Sequence, residues 1–134
     1  MTNLPDTPRK LELPAHMREL GWLVFDELTP EEKVRHEAKV AIFSKAILAR
    51  FWSDENEPDE YRDIEMETWL DVIGKLGQDE IRAAWSDYQK TGPRTRDGKL
   101  YRPDPGAIYL RVMKLRKKQR EAWEADQIGG PRHD

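Results

Sequence analysis

Cysteine is absent from this 134-residue sequence. That excludes a disulfide framework and any thiolate metal site, and suits a reducing compartment. Long apolar runs are missing as well. No stretch approaches the roughly 18–20 apolar residues of a membrane span, and residues 1–14 lack the apolar centre of a signal peptide. A cytoplasmic protein without membrane attachment is the expectation. Histidine is scarce, with His16, His36 and His133 spread over an N-terminal arm, a helix and a tail. No two of them have metal-ligand spacing. His36 lies one turn before Val40 and reads as the top of an apolar stripe rather than as a base. The only serines are Ser44, Ser53 and Ser86, none in a nucleophile-elbow context. The eight glycines are scattered, so no phosphate-binding loop is present. These absences point to a non-enzymatic protein without cofactor or metal.

What the chain does have is charge and aromatics. Charged residues make up 37%, matching the hydrophobic share, yet five Trp, four Tyr and three Phe are too many for an unfolded polar tail. The length suits a single domain with one modest core. The net charge of −3 conceals strong segregation. Residues 54–87 hold twelve Asp/Glu against Arg62, Lys75 and Arg82, whereas residues 92–120 hold ten Lys/Arg against Asp97 and Asp104. Such polarity can steer a charged partner. It can equally be two solvated faces that neutralise each other.

The periodicity predicts an all-α protein, a compact bundle of about four helices with a flexible N-terminal arm and a basic C-terminal helix. A first helix starts at Thr29-Pro30-Glu31-Glu32, where Thr29 can cap, Pro30 suits the first turn and Glu32 completes a capping box. It runs to about Trp52, aligning Val40, Phe43, Ile47 and Phe51 on one face. A second is expected over about 64–76, with Met66, Trp69, Leu70, Ile73 and Leu76 inward and Gly77 ending it at positive φ. A third, about 79–90, buries Ile81, Ala84, Trp85 and Tyr88. Asp104-Pro105 opens a fourth, carrying Ile108, Val112 and Leu115. Past Leu115 only Trp123 remains as an apolar anchor, so that end projects or frays. The expected division is an arm over 1–19, a helical domain over 20–124 and a disordered tail over 125–134. Core positions are Val40, Phe43, Ile47, Trp69, Ile73, Trp85, Ile108 and Val112. Residues 20–28, with Trp22 and Phe25, read as a segment capping the core or as an interface.

Two surfaces carry the functional reading. The first is basic: Arg94, Arg96, Lys99 and Arg102 in a loop or two-stranded excursion around Asp97-Gly98, then Arg111, Lys114, Lys117 and Lys118 on the last helix. Tyr101 and Tyr109 lie among them. Cations beside aromatic faces suit a phosphate backbone and unstacked bases, with no visible base-reading code. The competing account is that these charges balance the acidic face or complement the helix dipole. The second surface is the acidic connector Asp54, Glu55, Glu57, Asp59 and Glu60. Its spacing does not match a calcium loop. It reads as a solvated loop, or as a contact for a basic protein partner.

The order of features resembles the small helical domain of phage replication proteins that load or organise the replicative helicase. The residues that carry the likeness are the helix METWLDVIGKLG, the helix DEIRAAWSDYQKTG, a basic gap, and YRPDPGAIYLRVMK. Tyr101, Pro103, Pro105, Gly106, Ala107 and Ile108 occupy the turn into the last helix. Ala107 departs from the pattern, since the group often has an acidic residue there. The likeness covers about residues 42–115. It implies a protein without its own enzymatic activity that contacts DNA, a hexameric helicase, or another replication or transcription protein. The same helical plan would also serve a phage transcriptional regulator that binds DNA, or a protein-only adaptor or inhibitor using the acidic face.

Overall fold

The computed structural model describes residues 19–51 and 56–129. Residues 1–18 of the expected arm, with His16, and His133, Asp54 and Glu55 fall outside them. The protein is all-α, with four helices among the described residues: α1 (Pro30–Leu48), α2 (Asp59–Ile73), α3 (Gln78–Thr91) and α4 (Pro105–Gly129). A 3-10 turn, Phe25–Glu27, lies just before α1. No described helix is long and apolar enough to cross a membrane. The chain divides into two compact units, Leu23–Leu115 and a second formed by Met1–Trp22 with Arg116–Asp134.

Local chemistry sets most helix ends. Thr29 Oγ1 accepts from the Glu32 N–H at 3.1 Å, and Glu32 Oε1 accepts from the Thr29 N–H at 2.8 Å, closing the capping box. Such a cap stabilises a helix start by about 1 kcal/mol. α1 ends at Leu48 rather than near residue 52. There the N–H groups of Arg50 and Phe51 turn to the carbonyls of Ile47 and Leu48, tightening the chain into three-residue turns. α2 begins about five residues earlier than the periodicity predicts, because Pro58 caps it instead of breaking the segment. Asp59 and Glu60 thereby become its first turn, where the helix dipole favours negative charge. Gly77 does not end α2 at positive φ. It caps α3 with φ −68°, and its N–H donates to Glu80 Oε1 at 3.2 Å. α4 opens as its cap signal predicts, Asp104 Oδ1 accepting from the Ala107 N–H at 2.8 Å.

The core of the Leu23–Leu115 unit is apolar burial from all four helices. Val40, Ile47, Trp69, Ile73, Leu76, Ile81, Ala84, Tyr88, Ile108 and Val112 form one cluster. α1 packs against α2. Phe43 and Trp85, expected inside, are half-buried at the margin instead. The Trp85 ring stacks on Tyr88 with centroids 6.0 Å apart and meets Phe51 edge-on, so its outer edge stays in water. His36 is buried, and its Nε2–H donates to the Leu76 carbonyl at 2.8 Å. Because a carbonyl only accepts, that ring nitrogen carries the proton. His36 therefore pins the turn between α2 and α3, with Phe25 edge-on to it. Phe25 itself lies beneath Lys33 and Lys75.

In the second unit, two indoles make hydrogen bonds between α4 and residues 19–22. Trp22 Nε1 donates to Gln119 Oε1 at 2.7 Å, and Trp123 Nε1 donates to Glu19 Oε1 at 2.8 Å. The Arg116 guanidinium lies 4.8 Å from the Trp22 ring centre. The helix continues to Gly129.

Candidate nucleic-acid interface

The basic segment begins as a small hairpin. Arg94 and Leu100 form one antiparallel bridge. The Thr95 N–H donates to the Lys99 carbonyl at 2.7 Å, and the Gly98 N–H returns to the Thr95 carbonyl at 2.9 Å. Gly98 adopts φ 88°, a conformation that glycine reaches without a Cβ penalty. Thr95 Oγ1 also bonds the Asp97 carboxylate and accepts from the Lys99 N–H, which closes the tip. Leu100 packs against the core and seats the hairpin. Arg96 and Lys99 are left exposed.

The nine proposed nucleic-acid contacts divide into two groups. Three arginines are committed to the fold. Arg94 donates to the Gly98 and Gln89 carbonyls, tying the hairpin to the end of α3. Arg102 grips Glu65 of α2 with two parallel bonds of 2.6 and 2.8 Å. That fork-to-fork geometry is the strong form of a charge-assisted bond. It raises the Arg102 pKa above its ordinary value, through the bond itself and against partial desolvation. Arg111 is half-buried, with its guanidinium 4.8 Å above the Tyr88 ring centre. Its Nε lies 3.0 Å from Asp87 Oδ2, an ion pair whose N–H is not aimed along a hydrogen bond. Its other nitrogens reach the Ala107 carbonyl and Thr91 Oγ1 at 3.3 and 3.4 Å.

The second group is available. Arg96, Lys99, Lys114, Lys117 and Lys118 are exposed and make no ion pair with another described residue. Of the two tyrosines, Tyr101 is 51% exposed and Tyr109 38%. Tyr101 presents its ring outward while its carbonyl accepts from the Tyr88 hydroxyl at 2.8 Å. Burial pushes the Tyr88 phenol above its ordinary pKa, with nearby Arg111 opposing and Asp104 adding to the rise.

Of the acidic residues proposed for protein contact, Glu57 is half-buried while Asp59 and Glu60 are exposed on the first turn of α2. Sequence reasoning missed the apolar groups beside them. Tyr61 and Ile64, both 59% exposed, stand one turn apart on this helix. Their spacing of three was the available signal. An open groove of about 370 Å³ lies between α1 and α3, lined by Ile42, Phe43, Ile81, Lys39 and Arg82 among others. No group of three His, Asp or Glu that could hold a metal occurs among the described residues.

No protein-family model, curated protein or solved structure matches the chain.

Proposed function

We propose that this chain is a non-enzymatic replication accessory protein of phage type, binding DNA largely through phosphates and acting beside a replicative helicase as a loader or organiser. A cytoplasmic setting goes with that reading. The observation that supports it is the division among the cations. Arg94, Arg102 and Arg111 are spent on the fold, while Arg96, Lys99, Lys114, Lys117 and Lys118 remain in solvent without an ion pair to another described residue. Unpaired cations release condensed counterions on meeting phosphates, which is where non-specific affinity for DNA originates. The exposed rings of Tyr101 and Tyr109 add stacking faces for unpaired bases. The helicase partner follows from the resemblance in the order of helices and the Tyr101–Ile108 turn.

The test is DNA binding measured across salt for the wild type and for a chain with Lys114, Lys117, Lys118, Arg96 and Lys99 all changed to Glu. The wild type should bind with a log–log salt slope of about −0.9 per phosphate contacted, and the variant should lose binding. Absence of binding at low salt, or binding unchanged in the variant, rejects the DNA part. Co-purification with a hexameric helicase supports the loader assignment, and a sequence-specific footprint supports a transcriptional regulator instead.

A second reading, a protein-only adaptor that uses the acidic face, is favoured by Tyr61 and Ile64. Large apolar side chains exposed within an acidic helix turn are placed as a protein contact would place them. That reading predicts no DNA affinity and a loss of partner binding in Tyr61→Ala/Ile64→Ala.

A further inference from the structure

The outward stripe of α4 contains a pattern that DNA binding does not account for. Leu110, Lys114, Lys117, Glu121, Glu124 and Ile128 follow one another at spacings of 4, 3, 4, 3 and 4. That is the 3.5-residue repeat of a coiled-coil seam, and it keeps the six on one side of a helix. All six are exposed, Leu110 at 68% and Ile128 at 86%. The four charged members make no ion pair with a described residue, not even Lys117 with Glu121 one turn on. Lysine before glutamate is the weaker orientation for such a pair within one helix.

Read from either end, the stripe is its own complement. It runs apolar, positive, positive, negative, negative, apolar. Laid antiparallel against an identical helix about a two-fold axis at residue 119, Leu110 meets Ile128 of the second copy. In the same register Lys114 meets Glu124, and Lys117 meets Glu121. Each of these layers joins a position of one heptad type to the other type, as antiparallel helix pairs do. The two-fold repeats every layer, giving two apolar contacts and four opposite-charge contacts. A parallel pair would set lysine on lysine and glutamate on glutamate, so the charge order selects one orientation. The lysine stems add apolar cover around the charged layers.

From this register we infer that the outward stripe of α4 is a self-association surface, on which two copies of this chain pair antiparallel through Lys114–Glu124 and Lys117–Glu121. The seam is short, about 27 Å at 1.5 Å per residue, and mostly charged. The dimer is therefore reversible and weakened by salt. The inference rests on the helix register and does not need the DNA reading. Lys114 and Lys117 belong to both surfaces, so a chain engaged in the dimer has fewer cations to offer phosphates.

Charge reversal with rescue tests it, using sedimentation of the full chain at about 0.01 M and about 1 M salt, where the screening length falls from about 30 Å to about 3 Å. The wild type should form dimers at low salt that dissociate at high salt. Lys114→Glu/Lys117→Glu and Glu121→Lys/Glu124→Lys should each weaken self-association by at least about tenfold. Mixing the two variants in equal amounts should restore a dimer, as should placing all four changes in one chain. Unchanged helix content by circular dichroism shows that the variants are folded. A wild type that stays monomeric at every concentration overturns the proposal, as does self-association indifferent to the reversals or strengthened by salt. Glu121→Lys/Glu124→Lys separates this proposal from the DNA reading, because it retains every proposed phosphate contact. It should be monomeric and still bind DNA.

Discussion

α4 is one helix held by two kinds of chemistry. Its first half sits in the Leu23–Leu115 unit with Ile108 and Val112 at zero exposure. Its second half lies in the other unit, where the contacts between described residues include two indole hydrogen bonds and one cation over a ring. Burial of branched side chains is non-directional and lost only when the core opens. An indole–carboxylate or indole–amide bond exchanges with water and contributes modestly. The difference teaches where a helix can carry exposed function. The first half spends its inward face on the core and its Arg111 on Tyr88 and Asp87. In the second half Lys117, Lys118, Glu121 and Glu124 face solvent.

Three substitutions break or sharpen that comparison. The largest effect belongs to Ile108→Ala, which removes a fully buried branched side chain. It should cost about 2–5 kcal/mol of global stability by urea unfolding. A loss below about 1 kcal/mol would mean that α4 is not anchored where its burial says.

Tyr88→Phe should cost about 0.5–1.5 kcal/mol, because the Tyr101 carbonyl loses its donor. It should also change the alkaline limb of stability. The folded phenol has a raised pKa, so Tyr88 stabilises fully below the ordinary phenol value of about 10. That contribution is lost as pH rises toward the folded value, because the unfolded chain ionises first. Stability of the wild type should fall above about pH 10 more steeply than that of Tyr88→Phe. Parallel curves would count against this.

The smallest global effect belongs to Trp22→Ala. Removing its bond to Gln119 and its contact with Arg116 should move the unfolding midpoint by about 1 kcal/mol or less. Amides of residues 116–129 should exchange faster, with those of residues 105–115 unchanged. Equal acceleration along the whole helix would erase the distinction between its halves.

Much of the architecture was legible because its causes are local. The capping box at Thr29 and Glu32, the cap at Asp104, and the stripes through Val40, Ile47, Ile73, Ile81, Ile108 and Val112 all stand as the spacing predicts. Misreadings occurred where one residue type serves two purposes. Pro58 starts a helix as readily as it interrupts a segment, and Gly77 caps a following helix as readily as it ends the preceding one. Trp85 satisfied the period of α3, yet it lies at the rim, where Phe51 and Tyr88 enclose only part of its ring. Trp123 was recognised as an anchor, but its acceptor is Glu19 and could not be named from spacing.

The sequence by itself determined the class of structure, the four helices, the order of their apolar faces and the separation of charge along the chain. It also contained the self-complementary stripe of α4, which is a property of one helix and its repeat. Tertiary structure alone decided which cations are free. Arg102 is indistinguishable from Arg96 by composition, yet Glu65, 37 residues away, claims it with both carboxylate oxygens. Arg111 shares a basic helix with Lys114, but Arg111 meets Asp87 and the Tyr88 ring, whereas Lys114 is exposed and pairs with no described carboxylate. The physical reason is range. Helix propensity, capping and periodicity act over about four residues, whereas an ion pair depends on which distant carboxylate the packed core brings alongside.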